Sequence, residues 1–266
     1  MAREKEMQAF ARLLDILDEL REKCPWDRKQ TFQSLRPQTI EEVYELSDAL
    51  MSGDLHEVSK ELGDVLLHVV FYAKIGQEQG AFDISEVINH LCDKLIYRHP
   101  HVYGETVAAT AGDVVRNWEQ IKRTEKDGNK TVLSGVPESL PSLIKAYRIQ
   151  DKARAVGFDW DKREDVWNKV AEEQSELRHE LARMIPSDPD SVARAEGELG
   201  DVLFSVVNAA RLYDLNPDTA LERTCKKFRD RFTYLELRSK ELGRDLRDMT
   251  LAEMDAIWDE AKAKGL

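Results

Sequence analysis

Apolar residues recur at three- and four-residue intervals from the start of the chain, where Phe10, Leu13, Leu14, Leu17 and Leu20 make one stripe. The same spacing predicts further helices over about 38–52, 55–79, 84–97 and 113–125. Between about 124 and 142 it lapses into Thr-Glu-Lys-Asp-Gly-Asn-Lys and then Ser-Gly-Val-Pro-Glu-Ser-Leu-Pro, the mark of a linker. Helical spacing resumes near Leu143 and continues over about 163–185, 190–213, 217–242 and 250–263. Two runs, Val65–Ala73 and Val202–Ala210, are apolar almost all round, which predicts helices at the centre of a bundle.

The pattern is written twice. Trp26-Asp27 returns as Trp160-Asp161 at an offset of 134, and Glu41-Glu42-x-x-Glu45-Leu46 returns as Glu172-Glu173-x-x-Glu176-Leu177 at 131. Glu61-Leu-Gly-Asp64 returns as Glu198-Leu-Gly-Asp201 at 137, and Cys92-x-Lys94-x-x-x-Arg98 as Cys225-x-Lys227-x-x-x-Arg231 at 133. Trp118-x-x-x-Lys122 returns as Trp258-x-x-x-Lys262 at 140. Five motifs in one order, with small drifts where loops belong, predict an all-α chain of two homologous helical bundles in tandem, about 1–130 and 131–266.

Composition agrees with this. A chain of 266 residues suits two modest domains, and only 13 Gly and 8 Pro argue against a turn-dense β fold. The formal net charge of −12 leaves no broad positive field for nucleic acid or an anionic membrane, so polyphosphates would be handled through metal ions or a few placed cations. Cys24, Cys92 and Cys225 are odd in number and widely spaced, as expected of reduced thiols in a cytoplasmic protein. The charged N-terminus reads as no secretory signal, and the apolar runs reach about half of the ~20 residues that span a bilayer.

Acids three apart on a helix share a face. Glu42 and Glu45 therefore project together, as do Glu61 and Asp64 on the next helix, and antiparallel packing would bring all four to one spot. Glu173, Glu176, Glu198 and Asp201 repeat this in the second half. Four carboxylates in a groove repel one another unless cations neutralise them, and a set of hard oxygens suits Mg²⁺, with Mn²⁺ as a substitute. Glu-Glu-x-x-Glu alone is equally the pattern of a solvated helix face. Glu198 and Asp201, like Glu61 and Asp64, open an apolar helix, where unpaired charge is costly. Gly63 and Gly200 interrupt those helices, which implies close helix approach or room for a ligand. Lys94 with Arg98, and Lys227 with Arg231, could reach a triphosphate or form a solvated stripe; Trp258 and Lys262 could flank a base, or Trp258 could be core. His68 has Ser205 as its counterpart in the second half, which argues against an essential role.

These residues resemble the MazG nucleoside triphosphate pyrophosphohydrolases of the all-α NTP pyrophosphatase superfamily. The likeness rests on Cys24-Pro-Trp-Asp, Glu41-Glu42-Val-Tyr-Glu45-Leu, Glu61-Leu-Gly-Asp64, Tyr97-Arg-His-Pro-His-Val-Tyr-Gly104 and Asn117-Trp-Glu-x-x-Lys122, and runs over essentially the whole chain. It implies helical bundles completed by dimerisation, Mg²⁺ dependence, and hydrolysis of NTP or dNTP to the monophosphate and pyrophosphate, as in clearing the nucleotide pool. It also implies metal ligation by Glu42, Glu45, Glu61 and Asp64 and by Glu173, Glu176, Glu198 and Asp201. Nucleotide contact would fall to Lys227, Arg231, Trp258 and Lys262, with Lys94 and Arg98 as first-half counterparts. The second half is expected to be the main catalytic site, with Glu172 orienting a ligand or accepting a proton. A ferritin-like oxidase would need two Glu-x-x-His elements, and only Glu176-x-x-His179 fits. A non-enzymatic nucleotide-binding scaffold leaves eight matched carboxylates without purpose. A dUTPase-like or phosphoribosyl-ATP pyrophosphohydrolase sibling would differ only in its base pocket.

Overall fold

The computed structural model describes residues 3–106, 110, 114, 117, 121 and 131–266. Of the helix expected over 113–125 only residues 114, 117 and 121 are described; Trp118, Lys122 and the first part of the linker lie outside the described residues. Every regular element among the described residues is helical. Contacts separate the chain into two units, 1–114 and 115–266.

In the first unit, α1 (Glu4–Lys23) leads through a short 3₁₀ turn to α2 (Phe32–Ser52), α3 (Leu55–Glu78), α4 (Ile84–Arg98) and the single turn α5 (Pro100–Tyr103). The periodicity places the start of α2 just after Pro37, but the helix begins six residues earlier and runs through the proline. Local capping overrides the proline signal: Thr31 accepts from the Ser34 N–H, and the Ser34 hydroxyl accepts from the Thr31 N–H. Gly53 then closes α2 in a left-handed conformation (φ 74°), and Asp54 caps α3 by accepting from the His56 N–H at 2.9 Å. So short a link turns α3 back antiparallel against α2. Leu17, Leu35, Val70, Phe71 and Ile75 form the buried core, joined by Phe10, Leu13, Leu14, Phe32 and Tyr72; of the predicted α1 stripe, Leu20 stays exposed.

The second unit contains α6 (Ser142–Arg154), α7 (Val166–Arg183), α8 (Pro189–Leu212), α9 (Pro217–Glu241) and α10 (Leu251–Ala263). Here α7 starts later than its periodicity suggests, because residues 163–165 wind as a 3₁₀ turn. Asp188 and Asn216 cap α8 and α9 by accepting from the N–H groups of Asp190 and Thr219, and each helix carries Pro at its first position. Apolar packing falls into two small groups, Val166, Val170 and Ala209 between α7 and α8, and Leu235, Met249 and Ile257 where α9 meets α10.

The helices expected to be buried all round are covered on one side only. On α3, Val70, Phe71, Ala73 and Ile75 are buried while Leu62, Leu66 and Val69 are exposed; on α8, Ala195, Val207 and Ala209 are buried while Leu199, Leu203 and Val206 are exposed. Within each unit the described helices leave these faces uncovered. Among the described residues nothing lies within 4 Å of a Cβ built on Gly63 or Gly200, so neither glycine marks close helix approach there. The three cysteines are free, and no described helix is long and apolar enough to cross a membrane.

Candidate functional site

The two antiparallel hairpins, α2 with α3 and α7 with α8, bring the repeated acids together. Oxygens of Glu42, Glu45 and Glu61 lie within 4.8 Å of one another, and those of Glu173, Glu176 and Glu198 do the same. Each cluster is a trio rather than the expected quartet. Asp64 is near enough to disfavour a charge on Glu42, and Asp201 lies on the wall of a cavity that also reaches Glu173.

Electrostatics marks both trios as crowded. Loss of solvent, then the charges of Asp64, Glu45, Glu61 and Glu41, raises the Glu42 carboxyl above its ordinary value. Loss of solvent and then Glu173, with lesser help from Glu198 and Glu172, raises Glu176 likewise. Glu61 is 4% exposed; its Oε1 accepts from Lys60 Nζ at 2.8 Å, while its buried Oε2 has no hydrogen-bond partner. A bare carboxylate oxygen beside two more carboxylates fits a cation better than any proton donor of this chain. In the second trio, Lys169 approaches Glu173 at 2.8 Å and Glu172 at 3.1 Å, which raises the lysine and fixes Glu172 as a neighbour of the trio.

Beside the second trio lies a cavity of about 560 Å³. Phe158, Trp160 and Phe204 give it aromatic walls, and Gln150, Asn208 and Arg211 give it polar ones. Arg211, 2% exposed, forms a fork to Asp159, with Nη1 to Oδ2 at 3.0 Å and a short Nη2 contact to Oδ1. Burial pushes the Asp159 carboxyl up, but the Arg211 hydrogen bond, the Trp160 N–H and the charges of Arg211 and Arg154 outweigh it and leave it lowered. Arg211 also donates to Asn208 Oδ1 from Nε at 3.2 Å and from Nη2 at 2.8 Å.

Of the other expected residues, those on α9 and α10 lie elsewhere in the second unit. Arg231 lies 5.8 Å from the Trp258 ring centre and donates to the Leu266 carbonyl at 2.7 Å; Phe228 packs 5.1 Å from Trp258; Lys262 pairs with Asp259 at 2.8 Å. Lys227 is exposed on α9. Among the described residues, no hydrogen bond or ion pair joins Lys227, Arg231, Trp258 or Lys262 to the acid trio. Lys94 and Arg98 sit on α4, the first exposed and the second half-buried. Gln150, Asp159, Lys169, Asn208 and Arg211 escaped sequence reasoning. For Asn208 and Arg211 the signal is polarity inside an apolar helix, where they punctuate the run that ends α8.

The MazG nucleotide pyrophosphohydrolase domain is matched twice, over residues 30–103 and 162–234. The chain is 38% identical to a nucleoside triphosphate pyrophosphohydrolase of Escherichia coli, over 96% of this chain and 98% of that protein. It is 41% identical to the nucleoside triphosphate pyrophosphohydrolase/pyrophosphatase MazG of Thermotoga maritima, over 95% of each chain. An uncharacterized Bacillus subtilis protein, YabN, is 44% identical over 95% of this chain and 51% of its own length. With a carboxylate trio in each hairpin and the domain present twice, the chain belongs to the MazG nucleotide pyrophosphohydrolase family.

Proposed function

We propose that the second unit hydrolyses nucleoside triphosphates, ribo or deoxy, to the monophosphate and pyrophosphate, and that the first unit is chiefly structural. The observation that carries this reading is the 560 Å³ cavity, whose wall shares Glu173 with the acid trio, so that a base and a phosphate chain could be seated together. Glu173, Glu176, Glu198 and Asp201 would hold Mg²⁺, with Mn²⁺ as a substitute, and Glu42, Glu45, Glu61 and Asp64 a second complement. A divalent ion there supplies the positive charge that a triphosphate requires and makes water more acidic.

The chain's own residues do the rest. Lys169 holds Glu172 and Glu173 in place. Glu172, held beside the trio by Lys169, or a carboxylate of the quartet itself, takes the proton of the attacking water. Lys227, Arg231, Trp258 and Lys262 would meet the nucleotide across a homodimer. The exposed leucines and valines of α3 and α8 support such a homodimer, since an apolar stripe of this kind requires a cover. The substrates are free nucleotides of the cytoplasmic pool, not nucleic acid.

Pyrophosphate release from a panel of NTPs and dNTPs, with and without Mg²⁺, tests this. The pair Glu173→Gln with Glu176→Gln should lower kcat by about 10³-fold or more, as loss of charge stabilisation does. The pair Glu42→Gln with Glu45→Gln should leave kcat within about threefold. Equal losses from both pairs would refute the division of labour. Light scattering on a sizing column should return the mass of two chains.

A further inference from the structure

We propose that Asn208 selects the base: its Nδ2 donates to an oxo group where adenine and cytosine carry their amino group. Nucleotides of hypoxanthine, guanine, uracil and thymine are thereby preferred to those of the amino bases. This rests on the reading of the second unit as the nucleotide site. Asn208 is half-buried on α8 and lines the cavity. Its Oδ1 accepts from Arg211 Nε at 3.2 Å and from Nη2 at 2.8 Å, so the carboxamide cannot turn over without setting N–H groups against a guanidinium. Arg211 is itself held, 2% exposed, by its fork to Asp159. Nδ2 is therefore fixed as the free end of the amide. It has no hydrogen-bond partner among the described residues, and unlike the Gln150 oxygen it is not enclosed.

The position along α8 says which part of a nucleotide Asn208 meets. Asp201, Phe204, Ser205, Asn208 and Arg211 all line the cavity, which makes one face of α8 its wall. Asp201 and Asn208 lie two turns apart on that face, about 10 Å along the axis. With the phosphates drawn to Asp201 and the acid trio, that length carries a nucleotide from its phosphate end to the base edge remote from the ribose. An oxygen there accepts from Nδ2. An amino group there sets donor against donor and leaves both unmade. Phe71, 3% exposed, stands at this position in the first unit, so the selection belongs to the second.

ITP and ATP differ only on that edge, and so do UTP and CTP. The full-length protein should prefer ITP to ATP and UTP to CTP by about tenfold in kcat/KM, mostly through KM, the effect of one hydrogen bond. Asn208→Asp keeps the oxygen that Arg211 binds and puts an acceptor in place of Nδ2, so both preferences should reverse. In Asn208→Ala both ratios should fall to about one. No preference in the unsubstituted protein, or a preference in one pair alone, overturns the inference and needs no variant. Preferences that survive in a folded Asn208→Asp or Asn208→Ala protein overturn it as well. Failure to hydrolyse any triphosphate would instead remove the nucleotide reading itself, and this inference with it.

Discussion

The two units share a hairpin with a carboxylate trio and differ in what lies behind it. At the 137-residue offset, His68, Phe71 and Tyr72 of α3 stand where α8 has Ser205, Asn208 and Ala209. In the first unit these larger side chains are part of the core. Phe71 is 3% exposed, Tyr72 stacks on Phe32 at 5.7 Å, and the Thr39 hydroxyl bonds both His68 Nδ1 and the Tyr72 hydroxyl. In the second unit the smaller residues line or adjoin the cavity. One scaffold has thus spent the same volume on packing in one copy and on a pocket in the other. The acids alone do not distinguish the two units; the three residues one to two turns along the same helix do.

The ion pairs differ in the same direction, and they offer the largest effect on stability. In the first unit the arginine is on α1 and the acid on α3, as Arg21 with Glu78, whose side chain is 38% exposed. In the second unit the arginine is Arg211 on α8, fully enclosed, and its acid follows α6. Removing one partner of a buried pair strands a charge, so Asp159→Ala should cost about 3–5 kcal/mol. Glu78→Ala should cost about 1 kcal/mol or less, since water can replace the acid. Urea unfolding of each variant checks this, and comparable losses would break the contrast.

Packing gives the next step down. Phe71→Ala empties a filled core and should cost about 3 kcal/mol or more. Asn208→Ala sits on a wall that already borders open space, and should cost about 1–2 kcal/mol, mostly through the two donations lost from Arg211. If both variants lose the same amount, the two units are packed more alike than their side chains indicate.

Proton competition should not separate the units, which sharpens the claim about where they differ. A carboxyl raised in the folded state binds its proton more tightly there than in the unfolded chain. Acid therefore relieves repulsion in the ion-free trios at Glu42 and Glu176, and at the same time displaces a divalent ion. The dissociation constant for Mn²⁺, measured by calorimetry, should rise about tenfold as pH falls from about 7.5 to about 5.5. The slope should be the same whether Glu173 and Glu176 or Glu42 and Glu45 are neutralised. A flat profile at one site would show that its acids are not the ligands.

Much of this architecture could be read from the chain because the acids recur at helical spacing and two hairpins must superpose them. The extension of α2 back to Phe32 could not be, since Pro37 masks a start that Thr31 and Ser34 fix by local bonding. The trio geometry followed from i, i+3 spacing within each helix. The cavity did not, because it arises from Ser205, Asn208 and Ala209 being smaller than their counterparts, and a difference in volume leaves no periodicity. Gln150 and Asp159 are on and just beyond α6, outside every repeated motif, so only the folded chain brings them to the acids.

The smallest expected effect concerns α10, which carries Trp258 and Lys262. Thr250 and Glu253 form its capping box, and Arg244 binds the Glu253 carboxylate. The Arg244 hydrogen bond, then the Thr250 N–H and hydroxyl, lower the Glu253 carboxyl to about 2. A carboxylate held below its unfolded value stabilises the fold above that value, and the contribution drains away as pH falls towards about 2. In Arg244→Ala, carbon-detected NMR should find Glu253 titrating at higher pH while still below an ordinary glutamate, because the capping box survives. The acid-unfolding midpoint should shift upward slightly, by less than about half a pH unit, as expected of a solvent-exposed pair. An unchanged Glu253 titration would mean that the Thr250 cap alone holds this helix end, and that Arg244 adds nothing to the placement of Trp258.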